Sequence, residues 1–318
     1  MTAVLILNYN NYEDTINCIK SIEQFNTSAI KYVVVDNGST RDDVVVKLDT
    51  FFSDNFSEKY SKIHYESSKF YPKTLTNVTF IVSSKNDGYA VGNNKGLEFI
   101  YNDDEIENVL VINNDVLFVE DILPSMLEYL NRLPNSGIVS PLLYKKDFAD
   151  IDYHCARLNQ SNWGVILAYL FLCRDFFGIQ TKIMNKQLIL KNNKDLIKNE
   201  YLTIELPSGS CMLFDKNMMK SISGFDPNTF LYYEENILYK KIEKIGKCNY
   251  LIPSLKCIHL GASSTSKSSS SFVLRAGMRS MEYYLKNYAN LSMIQKLVLK
   301  LAVGLFSLKI MLVSLFKG

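Results

Sequence analysis

No two cysteines of this chain form a CxxC pair. Cys18, Cys155, Cys173, Cys211, Cys248 and Cys257 are scattered. This excludes a zinc ribbon or a dithiol redox motif and reads as reduced, packed thiols of a cytoplasmic protein. Histidine is scarce as well, and its three residues show no metal-ligand spacing, which argues against a zinc site. Neither sign of charge dominates. With 35 Lys and Arg against 33 Asp and Glu the net charge is +2, so the basic excess of a nucleic-acid binder is missing and no nucleic-acid partner is expected. The N-terminal stretch MTAVLILNYNNYEDT lacks a basic n-region and a small-residue cleavage site. It reads as a first strand, not a signal peptide, and the protein is expected to stay inside the cell that makes it.

What is present is an alternation of short apolar runs and helical periodicity. At 318 residues and 47% hydrophobic, the chain can bury a substantial core. Residues 4–7 are a first apolar strand, and residues 12–25 place Ile16, Ile19, Ile22 and Phe25 at helical spacing. Residues 32–35 are a second strand closed by Asp36-Asn37-Gly38-Ser39, and residues 78–82 a third. A helix over 89–101 follows, then a fourth strand, 109–112, ending in Asn113-Asn114-Asp115. Such alternation implies crossover connections and a largely parallel sheet, the α/β class. The polar clusters fall after strands two, three and four, at the carboxyl edge where open α/β sheets bind ligands. Asp36, Asn86, Gly88, Asn94 and Asp115 are therefore expected along one crevice, with plain turn-making as the competing account of each cluster.

Residues 147–202 are harder to assign. Their apolar stretch, 163–177, is interrupted by Arg174 and Asp175 and reads as a packed helix, with a lid or acceptor-binding insertion as the other reading. Strand character returns around Pro207-Ser208-Gly209-Ser210. After the turn Ser223-Gly224-Phe225-Asp226-Pro227, the stretch Tyr233-Glu234-Glu235-Asn236 opens a helix that runs towards Ile245 and stops at Gly246.

Past Asn287 no acidic residue occurs, while Lys296, Lys300, Lys309 and Lys317 interrupt a very apolar run. Lys296, Lys300, Gly304, Ser307 and Ser314 share one helical stripe, and Lys309 lies off it. A basic apolar helix of this kind suits peripheral attachment to an anionic membrane surface. A marginal transmembrane span and a helix packed against the main domain or a partner chain are the alternatives.

The candidate residues fit the chemistry of a sugar nucleotide. A carboxylate at a strand end, Asp36, can accept hydrogen bonds from a base N–H or ribose hydroxyls. A divalent cation with hard oxygen ligands, Mg²⁺ or Mn²⁺, can offset charge on a departing diphosphate, and Asp115 can supply one ligand. An acceptor hydroxyl needs a carboxylate base within reach, for which Glu235 at a helix start is the candidate, with Glu234 beside it.

The chain resembles the family 2 glycosyltransferases of the GT-A fold, in particular the bacterial rhamnosyltransferase-like branch that builds O-antigen and capsular polysaccharides. The matching stretches are Leu5-Ile6-Leu7-Asn8-Tyr9-Asn10, Val34-Val35-Asp36-Asn37-Gly38-Ser39-Thr40 and the run from Asn86 to Gly96. Val111-Ile112-Asn113-Asn114-Asp115-Val116, Ser208-Gly209-Ser210-Cys211-Met212, Gly224-Phe225-Asp226, Phe230-Leu231-Tyr232-Tyr233-Glu234-Glu235 and His259-Leu260-Gly261-Ala262-Ser263-Ser264 continue the series in family order.

The resemblance implies a GT-A, Rossmann-like domain over residues 1–265, with a mixed, mostly parallel sheet flanked by helices, and a helical C-terminal extension over 266–318. It implies nucleotide-sugar contacts from Asn8, Tyr9, Asp36, Asn37, Asn86, Gly88, Asn94, Asn113 and Asn114. It implies metal ligation by Asp115, with Asn113 in place of the first Asp of the family's DxD element, and by His259. Glu235 takes the place of the family's aspartate base in an inverting single displacement. Ile237 stands where the family has a further Asp, so polar support for the base is missing from the pattern.

The expected activity is transfer of a sugar, rhamnose by this branch, from a nucleoside-diphosphate donor to a lipid-linked glycan. The expected location is the inner face of the cytoplasmic membrane. A homodimer through the C-terminal helices is a further expectation. The alternative is a non-catalytic nucleotide-sugar-binding or scaffold protein of a polysaccharide assembly.

Overall fold

The computed structural model describes residues 1–67, 72–159, 161–171, 185–261 and 270–315. Its strands are β1 (Thr2–Asn8), β2 (Ile30–Asn37), β3 (Tyr60–His64), β4 (Val78–Ser83), β5 (Asn108–Asn113), β6 (Val116–Phe118), β7 (Ser136–Lys145), β8 (Ala156–Arg157), β9 (Leu202–Ile204), β10 (Leu206–Pro207), β11 (Cys211–Asp215) and β12 (Cys248–His259). Its helices are α1 (Tyr12–Phe25), α2 (Asp43–Phe56), α3 (Gly88–Ile100), α4 (Leu123–Arg132), α5 (Asn162–Phe171), α6 (Ile189–Asn192), α7 (Lys216–Ser221), α8 (Glu234–Lys244), α9 (Ser270–Asn287) and α10 (Met293–Leu315).

One large sheet runs in the order β3-β4-β2-β1-β5-β11-β7-β12-β6, with β9 on β12, and β8 and β10 form a small second sheet. The half from β3 to β5 is parallel, as helical crossovers require. β11 then inserts antiparallel between β5 and β7. The register decides what meets at the sheet's edge: Asn8 pairs with Asp36, Asn37 with Ser83, and Leu7 with both Val35 and Asn113. The polar ends of four strands therefore reach the same level.

Period-two alternation fills both faces of the sheet. Val4, Ile6, Val34, Leu110, Ile112 and Leu213 enter one core cluster, while Leu5, Val33, Val35, Val109, Val111 and Phe214 enter the other. A third cluster joins the C-terminal helices to the main body, with Val165 and Ile166 of α5, Ile237 of α8, Met278 and Leu285 of α9 and Leu299 of α10.

The structure adds elements that the sequence pattern does not announce. β3 is a half-exposed edge strand with no apolar run. The stretch around Pro207 is two strands, β10 and β11, separated by the Ser208–Ser210 turn. A helix is present at 162–171, while Arg174 and Asp175 lie outside the described residues. Among the described residues no helix is long and apolar enough to cross a membrane.

Candidate active site

The strand ends build the first wall of the crevice. Asp36 is 1% exposed. Its Oδ1 accepts from Asn8 Nδ2 at 2.7 Å and Ser39 Oγ at 2.5 Å, and its Oδ2 accepts from the Ser39 N–H at 3.0 Å. A carboxylate has about four acceptor positions, so most of its capacity serves to fix the Asp36–Ser39 turn. Asn8 in turn accepts from Thr15 Oγ1 at 2.9 Å, which ties α1 to the end of β1. Tyr9 follows half-buried.

Gly38, at φ +68, brings this turn against the next loop: a Cβ there would stand 2.2 Å from the Lys85 carbonyl carbon. Across that contact Asn37 Nδ2 donates to Asn86 Oδ1 and to the Gly88 carbonyl, both at 3.0 Å. Asn86 Oδ1 also accepts from the Gly88 N–H at 2.9 Å. Gly88, at φ +85, packs so tightly on Phe230 that a Cβ would lie 2.3 Å from its carbonyl oxygen. Asn37, Asn86 and Gly88 are thus brought together. Asn94 is directed elsewhere: its amide donates to the Phe225 carbonyl at 2.8 Å and accepts from the Phe225 N–H at 3.0 Å. Both ends of that amide are occupied in holding the Gly224-Phe225-Asp226 turn.

The second group lies past β5. Asn113 Nδ2 is 3.4 Å from Ser210 Oγ. Asn114 turns back and donates to Thr15 Oγ1 at 3.1 Å and to the Asn11 carbonyl at 3.2 Å. Asp115 is buried and lies 3.5 Å from Nε2 of His259, at the end of β12. The opposite ring nitrogen of His259, Nδ1, donates to Asp152 at 2.8 Å. Burial alone lowers the His259 pKa, but hydrogen bonds and charge from Asp115 and Asp152 outweigh it and push the value up to about 10. Burial raises Asp152, yet bonds from His259 and the His154 N–H leave it below the usual carboxylate range.

Asp115 and His259 offer one hard oxygen and one imidazole nitrogen side by side. Among the described residues no group of three or more His, Cys, Asp and Glu is arranged to hold a metal ion by itself. Two protein ligands suit a Mg²⁺- or Mn²⁺-type ion whose remaining ligands come from substrate phosphates and water. Asp152 supplies the carboxylate behind the histidine that such sites commonly carry.

The third group is the start of α8. Tyr232 and Tyr233 both adopt left-handed backbone, at φ 68 and 71, a conformation that costs a bulky residue about 1–3 kcal/mol. It is held from outside by α9: Ser280 Oγ donates to the Leu231 carbonyl at 3.0 Å, and the Tyr284 ring packs 5.4 Å from that of Tyr233. The turn sends the two glutamates in different directions. Glu234 is buried, and its Oε1 has no hydrogen-bond partner. Burial first, and the charge of Glu235 second, raise its pKa to about 8, so it is largely protonated at neutral pH. Glu235 instead reaches the Ser208–Ser210 turn, where its Oε1 accepts from the Gly209 N–H at 3.2 Å and lies 3.6 Å from Arg157 Nη2. Tyr89 Oη donates to the Gly209 carbonyl at 2.7 Å beneath it.

One three-residue turn therefore joins the two chemical groups. Gly209 holds Glu235, and Ser210 Oγ lies 3.3 Å from His259 Nε2. Ile237 has a packing role in place of a polar one: it is fully buried in the third cluster. Polar support at the start of α8 comes from Asn236, whose amide donates to Asn159 at 2.8 Å, and Asn159 donates to Tyr284 Oη at 2.8 Å. Sequence reasoning misses Asp152, Arg157, Tyr89 and Asn159. Three of them sit in or beside the stretch that shows no clear period, and nothing local marks them. Ala262, Ser263 and Ser264 lie outside the described residues.

Comparison with known proteins bears on the family and the fold. A low-salt glycan biosynthesis hexosyltransferase, Agl10 of Haloferax volcanii, is 24% identical over 234 residues, covering 73% of this chain and 58% of that protein. The chain thus spans somewhat over half the length of that relative. The crystal structure of GalNAc-T7 with UDP, GalNAc and Mn²⁺ superposes with a TM-score of 0.59 at 13% identity, over 91% of this chain and 48% of that one. The mannosyltransferase PcManGT of Pyrobaculum calidifontis, solved with GDP-Man and Mn²⁺, superposes with a TM-score of 0.51 at 14% identity, over 96% of this chain and 79% of that one. Those two likenesses are of fold, the GT-A arrangement. The model of glycosyl transferase family 2 matches residues 3–222, most of the sheet and its crevice, and the chain belongs to that family.

Proposed function

We propose that this chain is a metal-assisted, inverting hexosyltransferase that moves a sugar from a nucleoside-diphosphate donor to a lipid-linked glycan at the inner face of the cytoplasmic membrane. The observation that carries this reading is the Ser208–Ser210 turn, which places Glu235 and the Asp115–His259 pair on adjacent residues. The relatives' substrates fit the donor class: UDP with GalNAc in one neighbour, GDP-Man in another. Rhamnose is the sugar favoured by the motif resemblance, with UDP-galactose and UDP-glucose as rival donors in the same assay.

In this reading Asp115 and His259 hold Mg²⁺ or Mn²⁺, which when bound offsets negative charge on the diphosphate. The residues of the chain do the rest. Asn37, Asn86 and Gly88 shape the nucleotide end of the crevice. Glu235 takes the proton of the acceptor hydroxyl as its oxygen bonds to the anomeric carbon. The bond from that carbon to the diphosphate oxygen breaks in the same step, and the diphosphate leaves with the electron pair. Gly209 and Arg157 both approach Oε1 of Glu235, which leaves Oε2 for the hydroxyl. Glu234, by keeping its proton, adds no second negative charge beside the base.

The test is a binding and turnover screen over nucleotide sugars with Mg²⁺, Mn²⁺ or EDTA, on wild type and Glu235→Gln. Metal-dependent binding of one donor by both proteins, with turnover in wild type only, supports the proposal. The non-catalytic alternative predicts binding without turnover even when lipid-linked acceptors are added. If no nucleotide sugar binds, the proposal fails.

A further inference from the structure

Over residues 293–305, α10 exposes five apolar side chains and carries Lys296 and Lys300 at their edge. Met293, Ile294, Leu297, Leu301 and Leu305 are between 60% and 88% exposed. At 100° per residue they occupy one continuous stripe, opposite the face on which Leu299 and Ala302 enter the third cluster. A soluble helix normally shows the reverse pattern, and a run of this size marks an interaction surface. Along one edge of the stripe a slot of 310 Å³ opens between α9 and α10. Its floor is Leu285, Leu291, Leu299 and Val303, and its rim carries Glu282, Lys286, Lys296 and Lys300. Lys286 is bridged to Glu282 at 2.5 Å. Lys296 and Lys300 are exposed and have no acidic partner among the described residues. No acidic residue follows Glu282 to the end of the chain.

We infer that this slot binds the phosphate headgroup of an anionic phospholipid, with the Met293–Leu305 stripe lying in the acyl region of the same bilayer leaflet. The inference rests on the membrane attachment proposed above and names its site. The chemistry selects the ligand: an apolar floor accepts the first methylenes of a lipid, and two unpaired ammonium groups accept its phosphate. Lysines flanking an apolar stripe can extend to the headgroup level while their stems stay in contact with hydrocarbon. Glu282 neutralises Lys286 on the rim, so the charge left over is that of Lys296 and Lys300, which complements an anionic surface and gains nothing from a neutral one. The helix then lies in the plane of the membrane, in keeping with the absence of any spanning helix among the described residues.

The test is vesicle flotation of the full chain with phosphatidylcholine alone and with phosphatidylcholine containing phosphatidylglycerol. Wild type is compared with Lys296→Gln/Lys300→Gln and with Leu297→Ser/Leu301→Ser, all four positions being exposed so that folding is spared. Wild type is expected to prefer the anionic vesicles and to lose that preference at high salt. The lysine variant should weaken anionic binding by roughly one to one and a half orders of magnitude and leave neutral-vesicle binding unchanged. The leucine variant should weaken both. Equal anionic binding by the lysine variant and wild type would overturn the headgroup slot while leaving attachment standing. Absence of vesicle binding by wild type would overturn both. A dimer in solution that the leucine variant dissociates would assign the stripe to a second copy of the chain and overturn the inference.

Discussion

Glu235 Oε1 accepts a hydrogen bond from the backbone N–H of Gly209 at 3.2 Å, although 26 residues separate them. The next residue, Ser210, lies 3.3 Å from His259. A backbone donor fixed by the end of β11 cannot rotate away as a side chain can, so the carboxylate is positioned by the sheet itself. The first expected outcomes concern this carboxylate.

Glu235→Gln keeps the size of the side chain and removes its basicity. Turnover should fall by about 10²–10⁴-fold, with donor affinity little changed. Glu235→Asp restores the residue type of the family pattern but shortens the reach by one methylene. Because Gly209 holds the longer side chain here, this variant should also lose activity, on the order of 10²-fold. Single-turnover rates with saturating donor measure both, and a Glu235→Asp enzyme faster than wild type would contradict the positioning by Gly209.

Asp152 donates no ligand in the proposed site but accepts from Nδ1 of His259 at 2.8 Å. Asp152→Asn should reduce Mn²⁺ affinity by about 10–100-fold, as for other carboxylates behind metal-bound histidines. Titration calorimetry with Mn²⁺ in the presence of nucleoside diphosphate checks this. Unchanged affinity would detach Asp152 from the metal.

Glu234 makes stability fall as pH rises. Its pKa is about 8 in the folded chain, raised by burial and by Glu235, against the usual 4.5. Between those values the folded state holds a proton that the unfolded state has released, so the stabilisation is complete below pH 4.5 and lost by pH 8. The gap between the two values bounds the loss at ~5 kcal/mol. Urea unfolding across pH 5–9 should show this decline in wild type and a flatter profile in Glu234→Gln. Parallel profiles would place the Glu234 pKa near its ordinary value.

Ile237 tests the departure from the family pattern. Ile237→Asp puts a charge into a cluster of Val165, Ile166, Met278, Leu285 and Leu299, where it finds no partner among those side chains. Destabilisation of at least about 3 kcal/mol is expected, against about 2–5 kcal/mol for Ile237→Ala. Urea midpoints measure both. An Ile237→Asp variant as stable as wild type would mean that the C-terminal helices do not cover this position.

Much of the crevice could be read without coordinates. Apolar runs of β type followed by Asp36-Asn37-Gly38, by Asn86-Asp87-Gly88 and by Asn113-Asn114-Asp115 indicate strand ends, and the alternation with helices indicates the edge they share. β3 escaped because a half-exposed edge strand needs no apolar run. The roles within the crevice escaped for another reason. Asp36, Asn94 and Asn114 look like ligand-binding residues from their chemistry, and in the structure they also bond within the protein, to Ser39, Phe225 and Thr15. Whether a polar group faces a ligand or its own protein depends on its orientation, which composition does not encode.

The sequence by itself therefore determined the α/β order and the strand-end clusters, because these depend on local period and local turn chemistry, and its ordered motifs carried the resemblance to the family. The sequence pattern named Glu235 over Glu234, but only the tertiary structure showed what separates them, with Glu235 on the Gly209 N–H and Glu234 buried behind the left-handed backbone at Tyr232 and Tyr233 that α9 braces. The tertiary structure also decided that Asp152 stands behind His259 and that Ile237 anchors the C-terminal helices. These contacts join residues far apart along the chain, and the sheet register and helix packing that create them are properties of the whole chain.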